Sequence, residues 1–244
     1  FYAAYSLAYA DNSAAVPALE SLAIQYPEFR KLALVGLSIV DHYDGRDSLE
    51  RLLQNPEPEV RYGAIDALRQ RDDSLTLLNG RRMGQVVTLI EVPSEVPLIA
   101  VSLEYRPEIA LFGANPPLYF TEYFEVSPRL VIRPDSQGGL RVTRFARDDD
   151  RIKVVTPDLR SVLDAIAEVG GTYNDMIQFI DNASEKGILP CPVAFNPRPD
   201  AGRVHNRKDP KSDYGKLDEN SILDSEHPDI SQSPDDIVKP PAWW

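Results

Sequence analysis

Apolar and polar positions in the first 73 residues follow a helical period, and above it runs a second period of about 30 residues. The eleven residues from Phe1 align with those from Lys31 and again with those from Tyr62, at offsets of 30 and 31. The joints repeat as well, Pro27-Glu28-Phe29-Arg30 matching Pro58-Glu59-Val60-Arg61, and Leu19-Glu20 matches Leu49-Glu50 in the intervening helices. Self-similarity at this period predicts stacked helix pairs that bury an apolar face only against their neighbours. Ala3, Ala33 and Ala64 fall where two helices must approach closely, and Ser6, Gly36 and Ala67 repeat that smallness one turn later. Leu7, Leu37 and Leu68 supply the large apolar knob. Arg30 and Arg61 are expected to bond neighbouring turns or carbonyls within the stack. Asp11, Asp41 and Asp72 close each first helix and bond the local turn. Ser13 reads as an N-cap, with Pro17 in the first turn that follows.

After residue 80 the period changes from about 3.6 to 2. Strands are predicted at 86–92, 98–105, 108–113, 119–126, 129–133, 140–145 and 151–155, with Asp135 to Gly139 as a hairpin turn. Many short strands joined by turns predict a small antiparallel module, an antiparallel sheet or a small barrel. Two helices follow within 158–187. Thr156 is the expected cap of the first, with Pro157 at N1 and an apolar stripe of Leu159, Val162, Leu163, Ile166 and Val169. Gly170-Gly171 ends it, and Thr172 with Asp175 forms an acidic variant of the capping box for the second.

The fold class is therefore α+β. It comprises an N-terminal α-solenoid over 1–78, a small antiparallel β-rich module capped by two helices over 81–196, and a disordered acidic tail over 197–244. Ser, Asp and Pro dominate the tail, and from Arg198 onward seven Lys/Arg face ten Asp/Glu. Its terminal Trp243-Trp244 is a candidate docking peptide, because Trp anchors interfaces. The chain opens without Met and inside a helix. This leads to the expectation of an internal fragment or processed product with further units upstream.

Net charge is −12, which argues against nucleic acid as a partner. No stretch approaches the roughly 18 apolar residues of a membrane-crossing helix. The single Cys191 cannot form an internal disulfide. Chemistry is sparse. His42, His205 and His227 have no metal-ligand spacing, and Asp148-Asp149-Asp150 reads as a solvated turn. Cys191 reads as an end-of-strand cysteine rather than a reactive thiol. No catalytic residue, metal ligand or cofactor is assigned, and the expected partners are proteins.

Two resemblances add to this reading. The residues Ala15-Val16-Pro17-Ala18-Leu19, Pro58-Glu59-Val60-Arg61 and Ala64-x-x-Ala67-Leu68 resemble HEAT-like repeats of the phycobilisome-lyase type, over roughly residues 1–73. The run from Val162 to Ile180, continuing through Ala183 to Leu189, resembles the C-terminal segment of the bacterial flagellar P-ring protein. The second resemblance implies a non-enzymatic structural or assembly protein of the bacterial envelope or periplasm, self-assembling into a ring. The alternatives are a HEAT-repeat adaptor, which would be cytoplasmic, and an accessory protein of the phycobilin-lyase kind.

Overall fold

The computed structural model describes residues 1–71, 76–103, 106–147 and 150–200. Asp72, the carboxylates Asp148 and Asp149, the predicted strand end at 104–105 and the tail from 201 with Trp243 and Trp244 lie outside the described residues. Helices α1 (Tyr2–Tyr9), α2 (Val16–Gln25), α3 (Pro27–Ile39), α4 (Tyr43–Leu52) and α5 (Pro58–Gln70) come first. A proline starts α3 and α5, where its missing N–H costs nothing. Gly36 lets α3 approach α1 and α2, since a Cβ there would lie 3.0 Å from Leu19 Cδ1 and 3.2 Å from Tyr5 Cδ2.

A short helix α6 (Thr76–Asn79) leads into two sheets. The first is mixed, in the order β1 (Arg81–Met83), β2 (Val87–Val92), β4 (Glu108–Phe112), β3 (Leu98–Val101) and β9 (Val193–Phe195). Pairs β2/β4 and β3/β9 are parallel. The second is an antiparallel meander of β5 (Phe124–Ser127), β6 (Leu130–Pro134), β7 (Leu140–Arg144) and β8 (Arg151–Val155). Helices α7 (Leu159–Glu168) and α8 (Tyr173–Glu185) separate β8 from β9.

Strand alternation sorts neighbouring residues into two cores. Ile90, Leu98, Ala100, Ala110 and Phe112 join the leucines and alanines of the helices. Leu89, Ile99, Val101, Ile109 and Leu111 join β5, β6, β7, α7 and α8 on the other side. The mixed sheet is thus buried on both faces, and its strands read as near-continuous apolar runs.

This arrangement corrects the predicted fold class in two respects. The α-solenoid does not form as expected: in a solenoid each repeat touches only its neighbours, whereas α5 packs on β3 and the helical layer shares its core with the sheet. The β-rich part is not one small antiparallel module, because β9, formed by residues after the helix pair, adds to the first sheet in parallel. The boundary expected near residue 80 falls inside a shared core, and the described residues fall in one compact unit. Two caps also move. Asn12 rather than Ser13 accepts from the N–H of Ala14, and Asp158 rather than Thr156 caps α7, accepting from Ser161 N at 2.9 Å. A carboxylate two residues further on outcompetes the threonine hydroxyl. Thr172 does cap α8 in a reciprocal box with Asp175.

Candidate functional site

The chemistry of this chain concentrates where α5 meets the first sheet. Pro58 and Glu59 open α5, so Arg61, Tyr62, Asp66 and Arg69 follow at spacings of one and two turns and share its sheet-facing side. Arg30 and Arg61 occupy equivalent joints but find different partners. Arg30 Nε donates to Ala23 O at 3.0 Å and Nη1 to Glu59 Oε2 at 2.6 Å. Arg61 repeats the backward bond, Nε donating to Asn55 O, but its Nη1 donates to Val96 O at 2.8 Å. Its guanidinium carbon lies 5.1 Å from the Phe112 ring centroid. Arg61 is wholly buried and its Nη2 has no hydrogen-bond partner among the described residues, so burial draws its pKa below the usual guanidinium range.

Two turns along α5, Glu108 is clamped at the head of β4. It is 3% exposed. Tyr62 donates its hydroxyl to Glu108 Oε1 at 2.8 Å. Arg69 donates to both carboxylate oxygens, at 3.1 and 2.8 Å, and Arg69 Nη2 also donates to Leu78 O. From α8, Tyr173 donates its hydroxyl towards Ser102 O and Glu108 O, at 2.5 and 2.9 Å, while accepting from Glu108 N. One carboxylate and its backbone thus tie α5, β4 and α8 together. Burial, then the Glu108 charge, pushes the Tyr62 phenol well above its ordinary value, and burial pushes Tyr173 up to about 12. Both phenols stay protonated as donors.

Beside this clamp opens a cleft of about 290 Å³, lined also by Asp66, Arg106 and Arg198. Arg198 Nε lies 3.0 Å from Asp66 Oδ2. Burial raises the Asp66 pKa, and Arg198 and Arg69 pull it back. Residues beyond β9 run over α5 here. Pro199 packs over Gly63, where a Cβ would lie 2.8 Å from Pro199 Cγ and 2.5 Å from Leu34 Cδ1. The chemical content of this site is fastening. Both oxygens of Glu108 are occupied by donors from α5, and the one remaining half-buried carboxylate holds the strand-end arginine.

The remaining residues singled out by sequence are placed as follows. Ala33, Leu37, Ala64 and Leu68 are buried at no measurable exposure. Ala3 is exposed and Leu7 is 39% exposed, because α1 buries its Ala4 and Ala8 edge instead. Asp11 does not bond its own turn: its Oδ1 accepts from Asp41 N at 2.8 Å and His42 N at 3.2 Å, fastening the next unit. Glu20 accepts from Ser48 and Arg51 of α4, both at 2.7 Å. Cys191 is buried, which raises its thiol to about 11. Among the described residues no group of three or more His, Cys, Asp or Glu side chains is placed to hold a metal ion, and no helix is long and apolar enough to cross a membrane.

The clamp itself escaped sequence reasoning. Two signals pointed to it: Tyr62 and Arg69 lie seven residues apart on one helical face, and Glu108 is the lone charge heading the apolar run Ile109-Ala110-Leu111-Phe112. Comparison of the chain with protein-family models, with curated proteins and with solved structures finds no match.

Proposed function

We propose that this chain is a non-enzymatic structural or assembly protein of the bacterial cell envelope, resembling the flagellar P-ring protein over 162–189. The observation that carries the reading is the α7–α8 pair. The stretch bearing the resemblance folds as two capped helices, with Gly170 at φ +87° in the turn and Thr172 and Asp175 in a reciprocal box. The rest of the geometry suits a load-bearing block. The Glu108 clamp and the Arg30–Glu59 and Asp11–His42 ties join successive elements by bonds between residues far apart in sequence. Negative-stain electron microscopy of the purified protein, with fractionation of cells producing it, tests the reading. Ring or arc particles and recovery in the envelope fraction are expected. Single small particles in a soluble cytoplasmic fraction would overturn it.

A second reading, an adaptor that binds a protein partner on the helical layer, is favoured by one observation. Tyr2, Tyr9 and Tyr43 are 83%, 66% and 65% exposed. Tyrosine is enriched at interfaces, where a rigid ring gives contact area and a hydroxyl gives a hydrogen bond. Under this reading Tyr2→Ala with Tyr9→Ala abolishes partner binding and leaves particle formation unchanged.

A further inference from the structure

The four-stranded sheet has two open edges, β5 and β8. Among the described residues, neither strand makes a backbone hydrogen bond outside its own sheet. An open edge is normally guarded by a charge. Of the two charges on β8, Lys153 is turned onto Glu168 of α7 at 2.5 Å, and Arg151 stands at the start of the strand. The opposite face of β8 is left with Ile152 and Val154, 54% and 49% exposed, and Phe145 beside them is 46% exposed.

The register shows what these residues continue. One row, on the face turned away from α7, runs Glu125, Val131, Thr143, Ile152 from β5 to β8, with Val131 and Thr143 buried and the two ends exposed. It begins with a carboxylate and ends with an exposed aliphatic. Glu122 and Glu125 at the β5 edge form no ion pair among the described residues, and neither does Arg151 on β8. The two edges therefore carry opposite unmatched charges.

We infer that β8 of one copy of this chain takes β5 of a second copy as its next strand. Strand number makes the contact repeatable. In a four-stranded antiparallel meander β5 runs opposite to β8, so an incoming β5 laid antiparallel on β8 leaves the second copy pointing the same way as the first. Its own β8 is then free for a third copy. Such a heterologous contact generates a ring where the rotation closes and a filament where it does not. The register irregularity between Glu125 and Ser127 confines the new pairing to the start of β5. This inference rests on the assembly reading and supplies its contact.

The test is sedimentation of the full chain over a concentration series, beside the Ile152→Lys/Val154→Lys double variant. Both positions are half exposed, so the variant is expected to keep the wild-type melting temperature. The wild type is expected to sediment as growing oligomers and the variant as a monomer. Chains carrying Glu125→Cys mixed with chains carrying Ile152→Cys should then form a disulfide-linked dimer on mild oxidation, while each alone should not. Cys191 is buried and does not compete. Oligomers in the variant equal to wild type, without the mixed disulfide, would overturn the edge contact and leave the assembly reading standing. A monomeric wild type at its highest soluble concentration would overturn the edge contact, and the assembly reading would fall with it if envelope fractions also held no particles.

Discussion

Helices α1 and α5 are the first and third copies of one sequence pattern, and they live in opposite surroundings. Helix α5 buries eight of its 13 residues, including Ala64 and Leu68, whereas α1 buries only Ala4 and Ala8 of its eight. The pattern specifies a helix with small and large apolar positions in each case. What covers it differs: α5 lies between α3, α4 and the mixed sheet, and α1 has helices on one side only. A repeat therefore fixes an element, and its neighbours fix how much of that element matters.

The largest expected effect breaks the contact that sets α5 apart. Glu108→Ala removes the acceptor for Tyr62 and Arg69 and leaves a guanidinium unpaired at the sheet. A loss of about 3–5 kcal/mol in urea unfolding is expected. Glu108→Leu with Arg69→Met should recover most of it, because no charge is then orphaned. If the single variant were as stable as wild type, the clamp would not be what holds α5 to the sheet.

Next come the aligned alanines. Ala64→Leu overpacks a position with no free space and should cost roughly 1–3 kcal/mol. Ala3→Leu, at the equivalent but exposed position, should stay within about 0.5 kcal/mol of wild type. Equal losses in thermal melts would erase the difference between the two helices.

The two joint arginines sharpen the point. Arg30→Met orphans Glu59, whose side chain is 15% exposed, and should cost about 2 kcal/mol. Arg61→Met orphans no carboxylate, keeps the volume against Phe112 and removes a partnerless buried nitrogen, so it should cost about 1 kcal/mol or less. The more deeply buried arginine is thus the more replaceable one. The cap at Thr172, on α8, serves as a scale: Thr172→Ala should cost about 1 kcal/mol.

The smallest effect is a pH slope confined to α5. Burial raises the Asp66 pKa above its unfolded value of about 3.9. A raised folded pKa means the folded state binds the proton more tightly. The contribution of Asp66 is therefore fully present below the unfolded pKa and is lost as pH rises through the folded pKa. Asp66→Asn should flatten that segment of the stability curve, read from melting temperatures between about pH 3 and neutral. An unchanged slope would show that Arg198 already offsets the burial.

Much of the local structure was legible. The capping box at Thr172, the glycine turn after α7 and the strands β2, β4, β7 and β8 all follow from residues within a few positions of one another. Other elements were not legible. Strand β9 is three residues long, between prolines, and pairs because it falls beside β3. The sheet-side partners of Arg61 were unreadable for the same reason: the joint pattern says an arginine will bond a neighbouring turn or carbonyl, and only the fold puts Val96 O and Phe112 beside it.

By itself, the sequence determined that helices come first, then strands, then a helix pair with a capping box at Thr172, because caps, turns and periodicity act over one or two turns of chain. The tertiary structure decided what those apolar sides face. Tyr62 meets Glu108 across 46 positions and Tyr173 meets Ser102 across 71. No local term selects among the surfaces such a chain could bury against one another. That selection turned an expected solenoid into a helical layer on a mixed sheet, and it made Glu108 at the head of β4 the fastening for both sides of the sheet, its carboxylate holding α5 and its backbone holding α8.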